Sequence, residues 1–220
     1  PSTQAVHAGE APEPTTGSLS PPLYQSSVYA FQDAEQGAAL FAGSREGYVY
    51  TRMGNPTLKT LENKLAILEG GEEALVTSSG MAAIATTVAS LARAGEHVVS
   101  AEVIYGATYT LLREFWPRFG LQSTFVASSD TEDYRRAMRQ NTRIVFVETP
   151  SNPTLEVVDI AALAEVARQG NALLVVDNTF ATPMNQNPLA LGADIVVHSA
   201  SKYLGGHADV IAGVVVGRTD

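Results

Sequence analysis

Apolar positions along the 220 residues fall into three regimes. From 1 to 54 they follow no sustained period. Pro12, Pro14, Gly17, Pro21 and Pro22 break any long element, and Tyr24, Tyr29, Phe31, Phe41, Tyr48 and Tyr50 sit among small polar residues. Such a segment cannot build its own core: it is either a flexible tail or an arm lying across another surface, and so many aromatics favour the arm. At Asn55 the pattern turns helical. Asn55-Pro56 joins a capping side chain to a proline tolerated at the first helical position. Leu58, Leu61, Leu65 and Leu68 then repeat along one face, and Gly70-Gly71 stops the run. Beyond it, short aliphatic runs alternate with helix-period stretches. Strands are expected at 74–78, 97–101, 123–127, 143–148, 173–177, 195–199 and 210–216, and helices at 80–94, 106–118, 130–140 and 159–169. This alternation predicts an α/β fold, a mostly parallel seven-stranded sheet with helices on its faces, spanning 55–220 behind an extended arm of 1–54.

Parallel strands bring their carboxyl ends to one edge, where open α/β sheets bind ligands. Leu173-Leu174-Val175-Val176 runs into Asp177, and Ile195-Val196-Val197 runs through His198 to Ser199, Ser201 and Lys202. Asp177 alone reads as a strand-end cap and Lys202 alone as a solvated surface residue; their shared edge changes that weighting. On the same rim, the strand at 74–78 leads into Ser79-Gly80-Met81 and a helix, whose free N–H groups and dipole suit an anion. Tyr105 follows the strand at 97–101, placed to stack on a flat ligand or to exchange a proton. Glu148-Thr149-Pro150-Ser151-Asn152-Pro153 follows another strand; taken alone it reads as an Asn-Pro turn, whereas prolines holding it extended would aim Asn152 into the crevice. A lysine for an aldehyde, an acid for a pyridine nitrogen and hydroxyls for a phosphate are what pyridoxal 5′-phosphate (PLP) requires. The pattern therefore predicts a PLP enzyme.

Composition narrows the alternatives. With 14 basic against 23 acidic residues and a net charge of −9, nucleic acid is not an expected partner. No cysteine is present, which removes disulfides, thiolate metal sites and a cysteine nucleophile, and suits a cytoplasmic protein. His7, His97, His198 and His207 lack metal-ligand spacing, so no metal is expected. No Gly-x-Gly occurs, so neither a dinucleotide fingerprint nor a P-loop is expected. No apolar run approaches the roughly 18 residues of a membrane span, and the N-terminus lacks the order of a signal peptide, so no membrane association is expected.

From about Thr3 to Gly217 the chain resembles the cysteine/methionine-metabolism family of PLP enzymes, which includes methionine γ-lyase, cystathionine γ-synthase, cystathionine lyases and O-acylhomoserine sulfhydrylases. The motifs carrying the resemblance are Tyr50-Thr51-Arg52 with Asn55-Pro56-Thr57, Ser79-Gly80-Met81, Tyr105-Gly106, Pro150-Ser151-Asn152-Pro153, Asp177-Asn178-Thr179 and Ser199-Ala200-Ser201-Lys202-Tyr203. The resemblance implies the large domain of the aspartate-aminotransferase-like fold. It implies Lys202 as the covalent anchor of the cofactor, Asp177 on the pyridine nitrogen and Tyr105 stacked on the ring. Gly80, Met81, Ser199 and Ser201 would hold the phosphate, and Asn152 would lie near the phenolic oxygen. Tyr50 and Arg52 would reach the phosphate of a neighbouring subunit, making a dimer the minimum unit and a tetramer the expected assembly. The implied activity is γ-elimination or γ-replacement on a sulfur-containing or O-acylated amino acid, with methionine γ-lyase leading. The alternatives are a sulfhydrylase, cystathionine γ-synthase or cystathionine lyase, and, outside catalysis, a PLP carrier or regulator. Ala107 departs from the cysteine that methionine γ-lyases typically carry two positions after the stacking tyrosine, whereas Phe41-Ala42-Gly43 favours γ-active members. Family members are nearly twice this length, and the resemblance places a C-terminal domain, with the arginine that grips the substrate carboxylate, beyond Asp220.

Overall fold

The computed structural model describes residues 2–127 and 129–218, so Pro1 of the expected arm, and Ser128 and the last two residues of the expected domain, lie outside the described residues. The helices are α1 (Ser2–His7), α2 (Ala34–Phe41), α3 (Pro56–Glu69), α4 (Gly80–Leu91), α5 (Gly106–Thr110), α6 (Thr131–Ala137), α7 (Ile160–Gln169) and α8 (Thr182–Asn185). The strands are β1 (Glu73–Thr77), β2 (His97–Ala101), β3 (Gln122–Val126), β4 (Thr142–Glu148), β5 (Leu173–Asp177), β6 (Ile195–Ser199) and β7 (Gly213–Gly217). They form one sheet in the order β1-β7-β6-β5-β4-β2-β3. β7 runs antiparallel to both β1 and β6, and the other neighbouring pairs are parallel.

Side chains alternate across each strand, and the core follows that alternation. Val196, Val214 and Val216 pack with Leu65 of α3 in one cluster, while Val197 and Val215 join the larger cluster around Val98, Val145 and Val176. The sheet is therefore covered on both faces near β6 and β7. Helix α3 begins and ends as its sequence demands: the Asn55 side chain accepts from the N–H groups of Thr57 and Leu58, and Gly70 closes it at φ 73°.

The reversed strand β7 positions the functional edge. Gly213 faces Thr77 on one side and Ser199 on the other, so the ends of β1 and β6 sit one strand apart. A Cβ on Gly213 would fall 2.0 Å from the Ser79 carbonyl oxygen. Only a missing side chain lets these segments approach so closely.

Several expectations need correction. The strand expected at 210–216 starts at Gly213, because its partners Thr77 and Ser199 are the last residues of their strands. Val210 and Ile211 are left exposed. The helix expected at 106–118 is α-helical only to Thr110, passing through a π-type stretch (Leu111–Phe115) and a 3₁₀ turn (Trp116–Phe119) before Gly120 ends it. The arm is not extended throughout, since it holds α1 and α2. Asp33 caps α2 by accepting from the Gln36 N–H at 2.7 Å. The arm is tied to α3: Lys64 donates to the Val6 carbonyl and pairs with Glu10, and the Tyr24 N–H donates to the Thr57 hydroxyl at 2.8 Å. The segment 149–154 is also not extended. It turns, with the Leu155 N–H bonded to the Ser151 carbonyl and both X–Pro bonds cis.

Candidate active site

At the carboxyl edge of the sheet lies a cavity of about 330 Å³. Ser79, Gly80, Met81, Tyr105, Asn152, Asp177, Ser199, Ser201 and Lys202 all line it. They are delivered by the ends of five strands, β1, β2, β4, β5 and β6, or by the turns and the helix start that follow them. Tyr50 and Arg52 do not join them. They lie on a separate surface hollow with Tyr29, Phe31, Phe41 and Met53, the Arg52 guanidinium 5.2 Å from the centre of the Tyr50 ring.

Asp177 forms the buried wall. Its Oδ1 accepts the Thr179 N–H at 3.0 Å and the Thr179 hydroxyl at 2.5 Å, and that hydroxyl accepts the Ser199 N–H at 2.8 Å. Burial pushes the Asp177 carboxyl above its ordinary range, opposed by the two Thr179 donors and by nearby His198. A buried acid of this kind calls for a cationic or proton-bearing partner. Behind it, fully buried Glu69 at the end of α3 accepts from Asn178 at 2.8 Å and lies 2.5 Å from His198 Nε2. This contact ties α3 to the ends of β5 and β6. His97, also buried, sits between the hydroxyls of Thr142 and Thr124.

The opposite end suits an anion. Ser79 caps α4 by accepting from the Ala82 N–H at 3.1 Å, so the first turn of a twelve-residue helix opens beside the cavity. A Cβ on Gly80 would lie 2.6 Å from Ser199 Cβ, which makes Gly80 the residue that allows this closeness. The Ser201 hydroxyl accepts the Ala212 N–H at 3.0 Å, fixing the turn that carries Lys202. Tyr105, 46% exposed as a residue, presents an aromatic ring at the cavity. The donor set fits PLP: a buried acid for a ring nitrogen, an aromatic face, an amine, and a helix N-terminus with two serines for a phosphate.

Sequence reasoning gave no role to Thr179, Glu148, Ile84, Phe180 or Ile211, which also line the cavity. Thr179 had a readable signal, since an Asp two residues before it commonly accepts its N–H. Glu148 is 5% exposed, accepts the Tyr105 N–H at 2.5 Å and stands opposite Asp177 in the β4–β5 register. An acid closing an otherwise apolar run was its only mark.

The chain is similar to known proteins over nearly all of its length. The chain is 51% identical over 219 residues to L-methionine gamma-lyase of Fusobacterium nucleatum subsp. nucleatum, covering 99% of this chain and 55% of the relative. It is 44% identical over 216 residues to O-acetyl-L-homoserine sulfhydrylase of Leptospira meyeri, covering 98% and 49%. The crystal structure of metB from Corynebacterium glutamicum superposes with a TM-score of 0.93 at 42% identity, over 99% of this chain and 55% of that one. The chain thus spans about half the length of the relatives it matches. Residues 2–220 match the family described as Cys/Met metabolism PLP-dependent enzyme, and the chain belongs to that family.

Proposed function

We propose that this chain forms the cofactor-binding part of a methionine γ-lyase-like enzyme, which cleaves or exchanges the γ-substituent of a sulfur-containing or O-acylated amino acid. The observation that carries the reading is the convergence of Lys202, buried Asp177, Tyr105 and Gly80 on one cavity. When bound, PLP supplies an electron sink for the charge left as the substrate loses its α-proton. Asp177 would hold the ring nitrogen's proton, its anionic form favoured by the two Thr179 donors on Oδ1. Gly80, Met81, Ser199 and Ser201 would hold the phosphate, with Asn152 near the phenolic oxygen. Lys202 Nζ would anchor the cofactor, then carry the α-proton from the substrate to C4′ and, returned to the free amine, take a Cβ proton. Tyr105 would stack on the ring, and its hydroxyl would protonate the leaving γ-substituent.

Within this reading, Ala107, which supplies no thiol two positions after Tyr105, favours replacement as in the sulfhydrylases over elimination. A product assay separates the readings. The holoenzyme is expected to release 2-oxobutanoate from methionine or homocysteine. New thiol formed from O-acetylhomoserine only with added sulfide would favour replacement, and pyruvate from cystathionine would favour β-elimination. A visible cofactor spectrum unmoved by every amino acid would leave only a carrier.

The arm supports a shared site. Val28, Phe41 and Met53 are each more than 60% exposed, a surface suited to another chain. We place Tyr50 and Arg52 on the phosphate of a neighbouring subunit, in a cytoplasmic homo-oligomer of at least two and by resemblance four chains. Arg52 offers a guanidinium fork matched to phosphate. Mixing inactive Arg52→Ala with inactive Lys202→Ala chains is then expected to restore roughly a quarter of full activity, because half the dimers are hybrids with one complete site. Hybrids without activity, or a fully active monomer, would contradict the shared site.

A further inference from the structure

Glu148 ends a strand whose preceding residues, Ile144 to Val147, are at most 1% exposed. Its place in the register is opposite Asp177, so two buried carboxyls stand side by side. That arrangement is costly unless one of them is compensated. The compensation comes from main-chain donors. The Tyr105 N–H donates to Glu148 Oε2 at 2.5 Å, and the Asn152 N–H faces the same carboxyl and favours its charged form. Tyr105 precedes α5, and its own side chain makes no cap for that helix. One side chain therefore ties together two loops that belong to different strands, β2 and β4. These loops carry the two cavity residues expected to meet the face and the edge of the cofactor ring.

We propose that Glu148 is a positioning residue that fixes Tyr105 and Asn152 relative to each other, and so sets the orientation of the bound ring. The proposal rests on the cofactor reading above. Neither donor belongs to a side chain, so Tyr105 keeps its ring free for stacking and Asn152 its amide free for the ligand. Burial and then the neighbouring Asp177 push the Glu148 carboxyl up to about 7, against the lowering effect of the two N–H donors. That balance agrees with a group whose surroundings admit little negative charge beyond that of Asp177. The titratable groups around Glu148 are Asp177 on β5, Tyr105, Lys202 in the shared cavity, and Tyr134 and Glu156 in a smaller hollow on its other side.

Two readouts test this on the whole enzyme, one of them without any cofactor. In the cofactor-free protein, Glu148→Ala is expected to speed amide exchange at Tyr105 about tenfold, the loss of one buried hydrogen bond, and at Asn152 by a smaller factor, while Val98 and Val145 keep their protection. With PLP added, the same variant is expected to bind about tenfold more weakly. The visible circular dichroism of its bound cofactor should change in amplitude or sign. Glu148→Gln keeps the volume and one acceptor oxygen, so it should deprotect one of the two amides more than the other; it also serves if the alanine variant does not fold. Unchanged exchange at both amides in a folded variant overturns the proposal. So does faster exchange with cofactor affinity and dichroism identical to the unmodified enzyme, because Glu148 would then be structural only. An unmodified enzyme that bound no PLP would overturn the cofactor reading and this proposal with it, a failure that the cofactor-free exchange data distinguish from an idle Glu148.

Discussion

Lys202→Ala is expected to abolish turnover, by at least about 10³-fold, and to remove the visible absorption of a lysine-linked cofactor. Lys202 follows β6 in a turn closed by its own N–H on the Ser199 carbonyl at 3.1 Å and by the Gly206 N–H on its carbonyl at 2.9 Å. The turn directs an amine into the cavity from the end of a buried strand. No other lysine can take its place. Lys59 and Lys64 both lie on α3, and Lys64 is already committed to the Val6 carbonyl and to Glu10. The backbone around Lys202 needs no ammonium group, so the alanine variant should fold and still hold PLP non-covalently. Absorbance and activity measured together check this, and a variant that kept both would place the chemistry elsewhere.

Asp177→Asn is expected to retain PLP but lose at least about 10²-fold in turnover, the scale seen when one charge-stabilising group is removed from an active site. Asparagine keeps the size of aspartate and can still accept the Thr179 hydroxyl, so the link from Asp177 through Thr179 to Ser199 should survive. What the substitution removes is the anion that, on the proposed function, would hold a proton on the ring nitrogen and so deepen the electron sink. Stopped-flow spectra with a substrate amino acid, beside steady-state rates, measure the effect. Near-normal rates would make Asp177 a structural residue tying β5 to β6.

The parts of this site legible in the sequence are those where local pattern and tertiary role coincide. Leu174, Val175 and Val176 are fully buried, so the run into Asp177 reads as a buried strand from its composition alone. Asn55, Pro56 and Gly70 mark both ends of α3 because capping is a local matter. The start of β7 was hidden by Val210 and Ile211, which are as β-prone as the strand itself. They fall outside it because pairing stops where β1 and β6 end, a property of the neighbours. Helix α2 carried a readable cap in Asp33, but its many small residues and the aromatics around it masked the period. Glu148 was the hardest to read. Its role depends on Tyr105, 43 residues earlier, and on register with Asp177, and neither leaves a trace in its own neighbourhood.

The proposed function requires one chemical link, between the cofactor's aldehyde and a single amine at the edge of the sheet. Borohydride reduction of the holoenzyme, followed by protease digestion and mass mapping, measures it directly. The reduced pyridoxyl group is expected on the peptide bearing Lys202 and on no other. Recovery of the label on Lys59 or Lys64, or on no lysine at all, would contradict the account.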